Sequence, residues 1–372
     1  MTNEQGIFAE QICALRKEWL SKRKKREPDQ PIAAWIEKDR LIEGVGDSLV
    51  IIMNSTTCEW AKGPGGGCSM CGYSNETSDT LSATNLIAQV RHALDKFSSK
   101  SFQAIKIFNS GSFLNAAEVP IKAQNTIMER IAKIPAVSEL ILETRPEFVT
   151  QETLQRLKEF LGKEKALELG IGLESSNDLI RIHNINKGFT FDDFLRAVKI
   201  ALDLEVRVKS YLLLKPPFLT EKEAIDDIIK SAIDSIKIGA RSISINPMNI
   251  QNGTLVYSLW RKKLYRAPWI WSVKEVIQEI WKEAQLRNLE DNFDRIVSDP
   301  SGAGTRRGIH NCKKCDKKFL KLIKNYSLKQ DPSLLDRINC SCHALWRELL
   351  LFEEASREQS LVRAENAMRL LS

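Results

Sequence analysis

The chain has 372 residues, of which 43% are hydrophobic and 28% are charged. This length and composition allow the core of one large α/β domain and a smaller appendage. No run of about 18 apolar residues occurs, which excludes a transmembrane helix. The net charge of +7 is a mild excess that favours a polyanionic partner. The N-terminal residues lack the apolar core of a signal peptide, so we expect a cytoplasmic protein with no membrane partner.

The first predicted element is helical. Residues 4–40 place apolar side chains at helical spacing, and the charged stretch around Pro28 and Pro31 interrupts the pattern. We therefore assign residues 1–44 to an N-terminal helical segment.

From residue 45, short apolar strands alternate with helices. The predicted strands are 49–53, 104–108, 139–144, 166–173, 206–214 and 242–245. The predicted helices between them are 86–97, 123–134, 152–161, 191–204 and 221–238. Such alternation predicts an α/β fold with a parallel sheet and right-handed crossovers. A doubly wound sheet and a partial or complete barrel both fit this pattern over residues 45–250.

The pattern changes after residue 250, where we place a domain boundary. Basic residues alternate with aromatic ones between Trp260 and Trp269, a combination that can stack bases and neutralise phosphates. A charged helix face in contact with solvent is the competing interpretation. The C-terminal residues predict an amphipathic helix with four apolar side chains on its buried side: Leu345, Leu349, Leu350 and Phe352. We assign residues 251–372 to a C-terminal module that binds zinc and contacts RNA.

Three cysteines directly follow the first strand of the α/β region, at Cys58, Cys68 and Cys71. Three thiolates can hold three irons of a [4Fe-4S] cluster and leave the fourth iron open to another ligand. A structural zinc site normally has four ligands, so three cysteines fit it poorly. Because parallel α/β folds build their sites at the carboxyl ends of strands, this position favours an iron–sulfur cluster over a zinc site or unrelated thiols.

A second group of cysteines lies near the C-terminus and comprises Cys312, Cys315, Cys340 and Cys342. A CxxC pair followed by a second close pair has the spacing of a tetrahedral structural zinc site. An auxiliary iron–sulfur cluster and free thiols are the alternatives. Four lysines surround the first pair and would face a phosphate backbone: Lys313, Lys314, Lys317 and Lys318.

The motifs in this order resemble those of the radical S-adenosylmethionine (SAM) superfamily. They are the cysteine triplet, the turn at 109–113, and the segments 143–146, 170–175 and 184–190. In their spacing they are similar to the archaeosine synthase β-subunit family (RaSEA), in the branch that includes the radical subunit of Elongator. Nine residues separate Cys58 from Cys68, longer than the superfamily's usual spacing but shared by this family. The resemblance implies a partial (β/α)6 radical SAM barrel.

The resemblance also assigns roles to individual residues. Cys58, Cys68 and Cys71 would hold the catalytic [4Fe-4S] cluster. Eight residues at strand ends would contact SAM or the substrate: Asn109, Ser110, Gly111, Ser112, Glu143, Arg145, Glu174 and Ser175. From their position on and after the last two strands, three more would line the pocket: Lys209, Tyr211 and Asn246. A tight turn, a structural ion pair and a solvated lysine are the competing interpretations.

The function implied by the resemblance is that of a lyase acting on tRNA. A partner, the archaeosine synthase α subunit, would attach lysine to a cyano-deazaguanine base in the D arm. This chain would then cleave a carbon–nitrogen bond of the adduct by radical chemistry, leaving archaeosine. The implied cofactors are a [4Fe-4S] cluster, SAM and zinc, and no feature of the sequence identifies the electron donor. Two alternatives stay open: another radical SAM modification of tRNA (Elongator-like or methylthiolation), and a non-catalytic zinc-dependent RNA-binding protein.

Overall fold

The computed structural model describes residues 8–22, 26–78, 80–354 and 360–371. They fold around one eight-stranded sheet whose strands lie in sequential order. The strands are β1 (Ala33–Leu41), β2 (Gly44–Ile52), β3 (Ala104–Phe108), β4 (Glu139–Thr144), β5 (Ala166–Glu174), β6 (Arg207–Leu214), β7 (Ser242–Pro247) and β8 (Arg295–Val297). β1 is antiparallel to β2, and every later pair is parallel.

Helices connect the parallel strands and cover the outer face of the sheet. The helices are α1 (Ala9–Ser21), α2 (Glu59–Lys62), α3 (Ala83–Lys96), α4 (Ile121–Ala132), α5 (Gln151–Leu161), α6 (Phe191–Asp203), α7 (Glu221–Lys237), α8 (Leu255–Arg261), α9 (Ile270–Leu286), α10 (Asp316–Lys329), α11 (Cys342–Glu354) and α12 (Ser360–Leu371). One large apolar core joins the sheet to its covering helices. The expected α/β partial barrel is thereby confirmed. Among the residues that the structure describes, no helix is both long and apolar enough to cross a lipid bilayer.

The N-terminal part of the prediction is confirmed for α1 and wrong for residues 33–41, which form β1 instead of a helix. All nine residues of β1 pair with β2, and Gly44 (φ 132°) begins β2 directly after the turn at residues 42–43. The carboxylates of Glu37 and Asp39 form ion pairs with Lys106 of β3. In the sequence, these charged side chains suggest a helix exposed to solvent. In the structure they instead pair with a lysine of strand β3.

β1 and β8 are the edge strands, and buried charges join them at the amino end of the sheet. The Arg295 guanidinium donates to the Arg40 carbonyl of β1 (2.6 Å) and forms ion pairs with Glu139 and Glu168. Although burial raises the pKa of Glu168, Arg295 and Lys209 lower it to about 2, so this carboxylate stays charged. α10 packs against both β1 and β8 and covers the gap between the two edges.

A second apolar cluster lies at the carboxyl end of the sheet. It joins α1, α8 and α12 to the loop that follows β7. Its main members are Phe8, Ile12, Met248, Ile250, Leu255, Val256, Leu259, Ala364 and Ala367. The half-buried Cys68 and Met70 pack against this cluster, so elements far apart in sequence meet beside the first cysteine group.

The C-terminal residues form α11 and α12, and the predicted buried side of α11 is partly wrong. Leu350 packs against the main core as expected, but Leu345 and Phe352 are 61% and 77% exposed. The residues that face the core are Cys342 and Trp346, one helical turn apart. The position of Cys342 among the other cysteines sets the rotation of the helix and leaves Leu345 and Phe352 exposed.

Candidate active site and C-terminal metal centre

The three N-terminal cysteines gather at the carboxyl end of β2. Cys58 is the residue before α2, and Cys68 and Cys71 follow in the next loop. Burial raises the pKa of all three thiols, to about 11 for Cys58, and the charge of a neighbouring thiol raises each further. Nearby cations oppose this rise: Arg16, Arg145 and Lys187. A half-buried thiol trio beside cations suits metal ligation, because metal ligation requires thiolates and the positive charges favour them.

The glycine-rich loop between Cys58 and Cys68 is held by the segment that follows β5. The Asn186 amide donates to the carbonyls of Gly65 and Gly67, both at 2.7 Å. The Ser69 hydroxyl donates to the Asn184 carbonyl at 2.8 Å. Gly67 has φ 90°, a conformation that favours glycine. These contacts fix the loop, so the positions of the cysteines depend on the segment around residue 186.

The turn after β3 has an unpartnered polar side chain at its start. Asn109 is 8% exposed, and within the described part of the chain neither polar atom of its amide has a hydrogen-bond partner. Its backbone lies close enough to Glu143, at the end of β4, to lower the pKa of that carboxyl. Because a buried amide without partners is costly, this side chain fits a site that a polar ligand completes. The amino and carboxylate groups of SAM are of the required chemistry.

Glu118 supports this turn and was not found from the sequence. Its carboxylate accepts from the backbone N–H of Ser112 (2.6 Å) and from that of Glu59 (3.0 Å), the residue after Cys58. Gly111 has φ 130°, and any Cβ there would overlap the Glu118 carboxylate. One buried carboxylate thus joins the predicted SAM-binding turn to the first cysteine. The sequence gives no signal for it, because Glu118 and Glu59 are 59 residues apart in the chain.

Two predicted carboxylates meet a lysine inside the mouth of the barrel. The Lys187 ammonium lies 2.7 Å from a Glu174 carboxylate oxygen, and both side chains occupy the space in front of Gly172. Burial raises the pKa of Glu143 to about 8, although the charge of Lys187 lowers it. Lys187 lies in segment 184–190, which resembles the superfamily, but the sequence does not predict its ion pair with Glu174. The π-helical turn Ile180–Asn184, just before it, determines where the Lys187 side chain lies.

Arg145 lies beside Lys187, between two aromatic rings. Its guanidinium lies 5.6 Å from the Trp60 ring centroid and 5.3 Å from that of Phe189. It also donates to the Lys187 carbonyl at 3.0 Å. By contrast, the Ser175 hydroxyl is fully buried and donates to Asp227 of α7, on the outer side of the sheet.

The three predicted pocket residues lie at different depths. Lys209 is 3.3 Å from Glu168 and belongs to the buried charges at the amino end. The Tyr211 ring lies against Gly170, which pairs with Glu143 in the sheet. Asn246 bonds to Ser244 on its own strand. Tyr211 is thus the member of this set that stands next to Glu143.

The four C-terminal cysteines form a compact group whose sulfurs could hold a metal ion. Cys312 lies 3.5 Å from Cys315 and 3.6 Å from Cys340, measured between sulfurs, and Cys315 lies 3.6 Å from Cys342. All four sulfurs are within 4.8 Å of one another. Tetrahedral ligation at about 2.3 Å per metal–sulfur bond requires sulfurs roughly 3.8 Å apart. The spacing therefore fits a single ion and is too short for the ligands of a cubane cluster.

The residues of the basic and aromatic segment between Trp260 and Trp269 differ in their exposure to solvent. Tyr265 is buried and donates to the Lys215 carbonyl, and Trp269 stacks under Arg266. The adjacent lysines of this segment are exposed. Its cations are therefore available to a partner, while Tyr265 is not available to stack on a base.

A denser basic region spans residues 301–324. Eight basic residues occur there, Arg306, Arg307, Lys313, Lys314, Lys317, Lys318, Lys321 and Lys324, and all are exposed. The single acidic residue is Asp316, which is buried. The loop that carries the two arginines is bonded to the loop after β7, where the Ile250 N–H donates to the Arg307 carbonyl at 2.8 Å. This positive surface thus reaches the edge of the cysteine site.

A partial barrel of parallel strands with a cysteine trio and an unpartnered amide at its carboxyl end defines the radical SAM class of enzymes. The chain is 42% identical to the archaeosine synthase subunit beta of Methanosarcina acetivorans, over 88% of this chain and 91% of that protein. It is 36% identical to the archaeosine synthase subunit beta of Thermococcus kodakarensis, over 85% of this chain and 95% of that protein. The chain belongs to the archaeosine synthase β-subunit family, as its motifs predicted.

No model of a protein family matches the sequence. Among solved structures, archaeal Elp3 of Methanocaldococcus infernus aligns over 66% of this chain and 59% of that one, with a TM-score of 0.45 and 15% identity. The hydrogenase maturase HydG aligns over 87% of this chain and 80% of that one, with a TM-score of 0.42 and 13% identity.

Proposed function

We propose that this chain is the subunit that completes archaeosine in tRNA by radical cleavage of a carbon–nitrogen bond. Its substrate would be the lysine adduct of a cyano-deazaguanine base in the D arm. The observation that carries the proposal is the thiol trio beside Arg16, Arg145 and Lys187 in a chain of this family. The relatives named as archaeosine synthase subunits beta support this choice among radical SAM modifications of tRNA.

Cys58, Cys68 and Cys71 would hold the [4Fe-4S] cluster, and the unpartnered Asn109 amide would bind the amino-acid end of SAM. When bound and reduced, the cluster would supply one electron for the reductive cleavage of SAM, the source of the radical that would remove a hydrogen from the lysyl side chain. Lys187 and Arg145 supply positive charge for carboxylates in this space. The apolar cluster of α1, α8 and α12 excludes water from one side of the site.

Glu143 and Tyr211 would face the lysyl part of the substrate. Burial keeps Glu143 largely protonated at neutral pH, since its pKa is about 8. A lysyl ammonium that enters beside it would lower this pKa and form an ion pair with the carboxylate. Glu143 would thereby select a cationic side chain at the reacting position.

The basic region 301–324 and the exposed lysines after α8 would contact the tRNA backbone. Cations that reach the edge of the cysteine site would hold the RNA while the modified base enters the barrel. Residues 251–372 would then act as the RNA-contacting module beside the barrel of residues 45–250, whose sheet is extended at its edges by β1 from residues 1–44 and by β8.

The four C-terminal thiols would hold a structural zinc ion. Their sulfur spacing supports one tetrahedral ion over an auxiliary cluster. A lysine-transferring archaeosine synthase α subunit would supply the adduct, and both subunits would act in the cytoplasm, where tRNA is modified.

The test begins with anaerobic purification and measurement of iron, sulfide and zinc in wild type and in a C58A/C68A/C71A variant. About four irons per chain, lost in the variant, together with about one zinc that is retained, is the expected result. Wild-type protein with SAM, a chemical reductant and tRNA that carries the lysine adduct should then form 5′-deoxyadenosine and leave lysine-free archaeosine in the tRNA. Unmodified tRNA is the control. Zinc without iron, even after reconstitution, would favour the non-catalytic RNA-binding alternative.

A further inference from the structure

The N-terminal helix α1 lies directly on the loop that carries the cysteines. The backbone of Cys13 occupies the place where Gly66 would carry a Cβ, and such a Cβ would lie 2.5 Å from the Cys13 Cα. Gly66 has φ 68°, so glycine is favoured there on two grounds. α1 and the cysteine loop are thus in backbone contact, closer than side chains would permit.

Arg16 of α1 is buried at this contact. It is 3% exposed, and its guanidinium forms three hydrogen bonds with the cysteine loop and the turn after it. The acceptors are the Gly66 carbonyl (3.3 Å), the Asn75 side-chain oxygen (2.9 Å) and the carbonyl of Cys71 itself. One cation therefore connects the middle of the loop, its last cysteine and the 3-10 turn that follows.

The cation also acts on the cysteine electrostatically. The Arg16 guanidinium donates to the backbone carbonyl of Cys71, so its charge lies within one residue of that thiol. In a buried site a fixed positive charge interacts strongly with neighbouring charge. Reduction of an iron–sulfur cluster adds a negative charge, so a cation held beside one of its ligands favours the reduced form.

From this geometry we propose that Arg16 is a positioning residue for the iron–sulfur cluster, through which α1 holds the cysteine loop closed and raises the reduction potential. This inference rests on the proposed function, since it requires a cluster at Cys58, Cys68 and Cys71. It assigns a role to a helix that the sequence marked only as an amphipathic segment.

The docking of α1 does not depend on Arg16. Phe8 stacks against Phe218 with ring centroids 5.0 Å apart, and Ile12 is buried in the second apolar cluster. Trp19 packs on Gly253, where a Cβ would overlap its ring. A substitution at Arg16 should therefore remove the three hydrogen bonds and the charge while α1 stays in place.

The experiment compares wild type, Arg16→Gln and Arg16→Lys, with Lys17→Gln as the matched control. Lys17 is exposed, lies on the same helix and carries the same charge. Each protein is reconstituted anaerobically without substrate. Two quantities are measured: the rate of iron loss to a chelator, and the midpoint potential of the cluster by redox titration monitored with electron paramagnetic resonance. Circular dichroism checks that each variant is folded.

In Arg16→Gln we expect iron loss about ten- to a hundredfold faster than in wild type, since charged hydrogen bonds are removed, and a more negative midpoint potential. Arg16→Lys keeps the charge without the planar fork, so it should retain most of the potential but lose iron faster than wild type. Lys17→Gln should match wild type in both quantities.

Two outcomes would overturn the inference, and they differ. If wild type holds iron and both Arg16 variants match it in iron loss and potential, Arg16 is not a positioning residue and the proposed function stands. If wild type holds no iron after reconstitution, the proposed function fails and the inference fails with it.

Discussion

Two carboxylates, Glu118 and Glu143, lie at the carboxyl end of the sheet. They differ in their hydrogen-bond partners and in their protonation. Glu118 accepts backbone N–H groups of two segments, so its charge is used for structure. Burial raises the pKa of Glu143 to about 8, so it is largely protonated near neutral pH and can respond to a ligand. Their substitution should therefore have different consequences.

Glu118→Gln should destabilise the protein and weaken SAM binding. The glutamine amide has one acceptor oxygen, so its NH2 group would face the N–H of either Ser112 or Glu59. We expect a loss of about 1–3 kcal/mol in the free energy of unfolding, measured with urea, and a higher Kd for SAM. Glu129→Gln on α4, where the side chain is exposed, is the control. Equal stability of the two variants would contradict the role of Glu118.

Glu143→Gln should make the cluster-free protein more stable than wild type at alkaline pH. The folded-state pKa of Glu143, about 8, lies above the usual value of 4.5, so the folded state holds the proton more tightly than the unfolded state. This contribution to stability is complete below the unfolded pKa and is lost as pH rises through the folded pKa.

Urea unfolding from about pH 5 to about pH 9 measures the effect. The wild type should lose stability over this range relative to Glu143→Gln, by an amount of the order of a few kcal/mol. Parallel pH profiles for the two proteins would show that Glu143 does not titrate as described.

At the scale of secondary structure, the sequence predicts the apolar strands of the α/β region well and the charge-rich strand β1 poorly. β3 and β4 begin and end where their apolar, β-branched runs do. β1 was missed because its alternation is one of charges, and Glu37 and Asp39 find their cation only on β3. The same limit applies in the site: the cysteines are local motifs, whereas Glu118 and Lys187 act through contacts between distant segments.

The rotation of α11 makes a testable link between the metal centre and a helix. Cys342→Ser should remove the metal and free α11, because Cys342 and Trp346 are the buried residues that define its face. We expect loss of about one zinc per chain and faster amide hydrogen exchange in α10 and α11, with the barrel strands unchanged. Cys13→Ser is the control for removal of a thiol. Retained metal and unchanged exchange in Cys342→Ser would contradict this link.

Across the whole molecule, charge is segregated toward the region between β8 and α10. The double variant Arg306→Ala/Arg307→Ala should bind tRNA more weakly. The slope of log affinity against log salt should become shallower by roughly one for each phosphate that the variant no longer neutralises. Lys163→Ala/Lys199→Ala removes two exposed cations elsewhere and is the matched control. Equal salt slopes for the two double variants would place the RNA on another surface.

The apolar cluster that joins α1, α8 and α12 has a consequence for the order in which the protein folds during its synthesis. The ribosome synthesises α1 and the cysteine loop long before α8, and α12 emerges after the barrel, yet all three helices share one apolar cluster. During translation Cys68 therefore lacks some of its apolar neighbours until the later helices are made. Iron delivered to the nascent chain would meet a loop that α8 and α12 do not yet flank, whereas iron delivered to the finished protein would meet a loop with both helices beside it.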